Sequence, residues 1–166
     1  MLVPDQVEAL RGGAIDVALL RPPAAGPPLA VHTLRRDRLV VALPADHPLA
    51  AKSRVRAADL AGVDLITHSA DRHSVMHDVV LGVLRRAGVE AHIRHEVGET
   101  STLITLVAGG LGVAIAPEPV TALALDGVAY RPLVRPAAAV ELAVAHRADR
   151  HEPHLVRAVE VIRRLF

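Results

Sequence analysis

The chain has 166 residues, 51% of them hydrophobic, and a formal net charge of +1, enough apolar material for one domain or two small lobes. Its 19 Lys and Arg are scattered, as where Asp37 interrupts Arg35, Arg36 and Arg38, and its only aromatic residues are Tyr130 and Phe166, so it has neither the basic footprint nor the stacking platform of a nucleic-acid binder. Lack of cysteine removes thiol catalysis, disulfides and thiolate metal sites, and with no charged leader and no apolar run of 18 residues a cytoplasmic location is expected, without secretion or membrane spanning.

Gln6 to Arg11 reads as the end of a helix, with Gly12-Gly13 as its stop. Ile15 to Leu20 is a short strand, broken by Arg21-Pro22-Pro23 and a proline-rich loop to Pro28. Leu39 to Leu43 is the next strand, and Pro44 to Pro48 ends it. Arg56 to Leu60 forms a helical turn closed by Gly62, and Val63 to Thr67 is a strand leading into His68-Ser69-Ala70-Asp71. From Ser74 the period becomes helical, with Met76, Val80 and Leu84 on one face widened by Val79 and Val83, until Gly88. Ala91 to Val97 alternates as a half-exposed strand. Thr100 or Ser101 can then cap a helix with Leu103, Leu106 and Val107 as its buried stripe, and Gly109-Gly110 turn the chain into the strand Leu111 to Ala116. Val128 to Leu133 and Val140 to His146 are further strands, and Pro153 starts a last helix with Leu155, Val159 and Ile162 on one face. Because Leu111 to Ala116 is apolar at almost every position, both its faces should be covered, as in a mostly parallel α/β sheet flanked by helices.

In such a sheet, ligands gather at strand and helix ends. Arg21, after the Ile15 to Leu20 strand, could hold a carboxylate, or serve only as a solvated loop arginine. His68, Ser69 and Ala70 follow a strand and offer anion donors. Glu99, Thr100 and Ser101 stand where helix-terminal amides favour an anion, although capping alone would also explain them. His73 and His77 share a helical face, but neither an HExxH arrangement nor a third ligand accompanies them, so no metal is expected. Gly109 to Gly112 follows a helix and precedes a strand, the reverse of a dinucleotide fingerprint, and Asp16, Asp64, Glu99 and Glu118 lie on separate elements without a catalytic partner. No catalytic residue and no cofactor is expected.

Four segments, 6–23 (QVEALRGGAIDVALLRPP), 35–50 (RRDRLVVALPADHPLA), 95–120 (HEVGETSTLITLVAGGLGVAIAPEPV) and 140–147 (VELAVAHR), together resemble the effector-binding region of LysR-type transcriptional regulators. The resemblance implies an α/β fold of the type 2 periplasmic-binding-protein kind, two lobes joined by two crossing strands near Leu39 to Leu43 and Val128 to Leu133. Lobe I would comprise 1–38 and 134–166, and lobe II 39–133. It also implies a small organic anion or aromatic effector in the interlobe cleft, and side-by-side dimers. The family's DNA-binding helices, and the first strand and helix of its effector domain, have no counterpart in the sequence, so lobe I is expected to be incomplete and the chain to bind no DNA itself. Val3 stands where the family often has a threonine. A solute-binding protein or a stand-alone interaction module is the alternative.

Overall fold

The computed structural model describes residues 3–22, 26–69 and 74–166. The chain divides into two compact units, Met1–Arg36 with Glu141–Phe166, and Asp37–Val140.

The first unit holds helix α1 (Val3–Arg11), strand β1 (Val17–Leu20), the opening half of β2 (Leu29–Pro44), most of β8 (Ala139–Arg147) and helix α4 (Pro153–Leu165). β1 and β8 pair antiparallel from Val17 opposite His146 to Leu20 opposite Ala143. Period-two alternation then sorts the side chains: Ala18, Leu20, Ala143 and Ala145 pack with Leu10 of α1, while Val144 packs with Leu155 and Val159 of α4. The face of α4 anticipated from Leu155, Val159 and Ile162 is the face that packs. β1 ends the sheet path, and its Leu19 is 43% exposed.

The second unit contains the rest of β2, β3 (Val55–Arg56), β4 (Asp64–His68), α2 (Val75–Arg86), β5 (His92–Val97), α3 (Thr100–Ala108), β6 (Val113–Pro117) and β7 (Val128–Val134). Its sheet explains the unbroken apolar runs. Leu39, Val41, Leu43, Val113 and Ile115 face one side, closed by Met76, Val80, Val83 and Leu84 of α2. Val40, Ala42, Ala114 and Ala116 face the other, closed by Leu103, Ile104 and Val107 of α3. Each large apolar side chain so enclosed contributes about 1.5–3 kcal/mol of transfer free energy.

Three helices end alike. The α3 end has Gly110 N–H donating to Val107 O at 3.0 Å and Leu111 N–H to Leu106 O at 3.1 Å, a Schellman closure that needs the left-handed Gly110 at φ +75°. Gly112, at φ +150°, answers a different need: a Cβ there would stand 2.8 Å from the Asp64 carbonyl oxygen, so only glycine lets this turn lie against β4.

The structure corrects four expectations. The sheet is mixed: β4 pairs parallel with β5 and β6, but β2 runs antiparallel to β6 and β7, and β1 antiparallel to β8. An apolar strand reports that both its faces are covered and says nothing about its direction. β2 begins ten residues before Leu39, because its first half interleaves Leu29, Ala30, Val31 and Leu34 with His32, Thr33, Arg35 and Arg36 and so lacks the unbroken apolar run of Leu39 to Leu43. In α3 it is Ile104 that is fully enclosed, with Leu106 at the cluster margin. Neither Thr100 nor Ser101 caps this helix; the cap residue is Glu99, whose side chain makes no capping hydrogen bond.

Candidate functional site

The parallel register of β4 and β5 sets His68 opposite Val97, and Ser69 N–H continues the ladder to Val97 O at 2.9 Å. β4 therefore delivers His68 and Ser69 to the same edge at which β5 turns, through Gly98 and Glu99, into α3. The expected residues His68, Ser69, Glu99, Thr100 and Ser101 thus meet at one corner of the second unit. Ala70 and His73 lie outside the described residues. Arg21 belongs to the first unit, where its Nη1 donates to the Glu141 carbonyl at 3.2 Å.

The corner is built on a buried imidazole. His68 is 8% exposed, and its Nε2 lies 3.1 Å from Thr100 Oγ1. This contact explains why Thr100 does not cap: as the first residue of α3, it turns its hydroxyl to the histidine. Beneath, His77 of α2 is also 8% exposed, and its Nδ1 lies 2.9 Å from the His68 carbonyl oxygen. A carbonyl only accepts, so His77 Nδ1 carries the proton and donates. The spacing sets His77 on one helical face with His73 without implying a metal, and its position beside Met76 and Val80, on the stripe that α2 buries, is the sequence sign of a structural role. Thr100 is half-buried, whereas Glu99 and Ser101 are exposed. The first amides of α3 and the adjacent hydroxyls make this corner suited to an anionic or hydrogen-bond-accepting group.

In the first unit, Glu141 accepts from Arg36 Nε at 2.9 Å and from Thr33 Oγ1 at 3.0 Å. Arg36, and then Thr33, hold its carboxyl below the ordinary carboxylate range. Among the described residues no group of three or more His, Cys, Asp or Glu could hold a metal ion, and no helix is long and apolar enough to cross a membrane.

Residues 2–165 match the family model of the LysR substrate binding domain. The chain is 33% identical over 157 residues to the HTH-type transcriptional regulator CatR of Pseudomonas putida, covering 95% of this chain and 54% of that protein. It is 28% identical to AlsR of Bacillus subtilis, covering 94% and 52%. It therefore spans about half the length of these curated relatives. Among solved structures, full-length CbnR complexed with its target DNA superposes with a TM-score of 0.89 at 26% identity, over 99% of this chain and 57% of CbnR. The BenM effector binding domain with its effector benzoate does so with a TM-score of 0.85 at 26% identity, over 99% and 75%. The matching residues run almost from end to end, and the chain belongs to the LysR family through its substrate binding domain.

Proposed function

We propose that this chain is the ligand-sensing part of a LysR-type transcriptional regulator, and that a small organic anion is its effector. The supporting observation is the His68–Thr100 contact at the start of α3, which holds a hydroxyl, an imidazole and helix-terminal amides at one strand edge. Ser69, Glu99 and Ser101 complete the binding corner, and Arg21, in the other unit, is the further candidate for the effector's carboxylate. β2, which belongs to both units, is one of the two crossing strands. Binding does no bond chemistry; it shifts the balance between two arrangements of the regulator by its differential affinity for them. The protein works in the cytoplasm.

Lobe I is incomplete in this reading: the exposed Leu19 on the terminal strand β1 marks where a further element, or a second copy of the chain, would pack. The chain self-associates, and specific operator recognition is left to regions outside it.

Calorimetry with aromatic and aliphatic carboxylates, benzoate among them, tests the assignment. A carboxylate is expected to bind, and Arg21→Ala and Thr100→Ala each to weaken it about tenfold or more. An affinity unchanged in both variants rejects the site.

A further inference from the structure

A second feature of the Asp37–Val140 unit is independent of that corner. A cavity of about 460 Å³ opens beside the middle of β2, where β6 and β7 run out, lined by apolar groups that include Leu39, Pro132, Val134 and Ala138, and by two charged residues, Arg38 and Glu118. Its volume lies in the range of small-ligand sites, and all its lining residues belong to one unit.

The strand register fixes where the charges stand. β2 and β6 pair antiparallel with Leu39 opposite Pro117. Arg38 directly precedes Leu39 on β2, and Glu118 directly follows Pro117 as the first residue of the short 3-10 helix Glu118–Leu123, so both border the same end of the β2–β6 ladder and line the one cavity. Both are exposed. Among the described residues neither forms an ion pair or a side-chain hydrogen bond. A single cation beside an apolar wall would select an anion, and a single anion an amine. Both together, lining one cavity and not spent on each other or on neighbours, match a ligand that carries both charges on groups bound to a single carbon, and an apolar tail.

We propose that this cavity binds an aliphatic α-amino acid, its carboxylate on Arg38, its ammonium on Glu118 and its side chain against Leu39, Pro132 and Val134. Exposed ion pairs contribute little on their own, so the two side chains remain available to a ligand that brings both complements and is partly desolvated by the wall.

Leucine is the probe, with 4-methylpentanoate, which lacks the ammonium, and isoamylamine, which lacks the carboxylate, as controls on the unaltered chain. In calorimetry at neutral pH leucine is expected to bind, and each control at least about tenfold more weakly. Arg38→Gln and Glu118→Gln are each expected to weaken leucine by a similar factor, while Thr100→Ala leaves it unchanged. The site is rejected by any of three results: no leucine binding up to about 10 mM, 4-methylpentanoate binding as tightly as leucine in a way that Thr100→Ala does not weaken, or a loss of leucine on Thr100→Ala, which would move the ligand to the α3 corner. The analogue series needs no variant, so the inference stays testable if a substitution impairs folding. Failure of carboxylates at the α3 corner leaves these results standing, because the readouts are separate.

Discussion

The two units solve the same packing problem with different resources. In Asp37–Val140 the sheet is covered on both faces, and among the described residues the larger core cluster has 17 buried members and the one beneath α3 has nine. In the other unit the corresponding clusters have five and three, and β1 leaves Leu19 in solvent. A strand is worth little without something to lie against it. The second unit is thus the firm body on which the α3 corner is mounted, and the first is the part whose stability depends most on what joins it.

That contrast can be broken most directly by cutting into each core. Ile115→Ala should cost about 3–5 kcal/mol in urea unfolding, because neighbours on β2, β4 and α2 hold the cavity open. Leu155→Ala, beneath a single helix beside a thin cluster, should cost nearer 2 kcal/mol. Equal losses would mean that the first unit is as tightly held as the second.

The contact of the α3–β6 turn with β4 offers a smaller lesion of different origin. Gly112→Ala should cost about 1–3 kcal/mol, since its Cβ would meet the Asp64 carbonyl and the backbone would need a conformation that alanine resists. Gly98→Ala, which meets nothing within 4 Å, is the control for altered chain entropy. If both behaved alike, the turn would not be pinned.

The smallest effect belongs to the first unit. The His32 and His146 rings stack with centroids 5.6 Å apart. Partial burial of His32, and then the nearby Arg163 and His146, push its pKa below the ordinary 6.5. As pH falls through 6.5 the unfolded chain takes up a proton that the folded chain resists, so stability is full above this value and declines below it. His32→Gln should make the decline of melting temperature between pH 7 and pH 5 shallower. An unchanged slope would remove His32 as its source.

How much of this could be read from the sequence varies with the kind of signal. Helical faces and glycine stops were legible because period and backbone conformation are local: Met76, Val80 and Leu84 pack as their spacing implies, and Gly88 and Gly110 close their helices. The strand and helix ends were legible, and those that carry His68, Ser69, Glu99, Thr100 and Ser101 adjoin in the second unit, whereas Arg21 belongs to the first and Ala70 lies outside the described residues. Strand direction was not legible, because burial on both faces leaves the same apolar pattern in parallel and antiparallel strands. Nor was the bond between His77 and the His68 carbonyl, which joins residues nine apart through a strand end and a helix face. The meeting of Arg38 and Glu118 at one cavity joins segments 80 residues apart, and no local spacing encodes that.

The proton on His77 has one practical consequence. Held to a carbonyl inside the core, it should exchange slowly with water and so give a resolved imidazole N–H resonance. Its acceptor is the backbone of the residue whose ring meets Thr100. A ligand arriving at the α3 corner would therefore announce itself in a single line of the spectrum, from a nucleus that the chain already carries, without any label or engineered probe near the site.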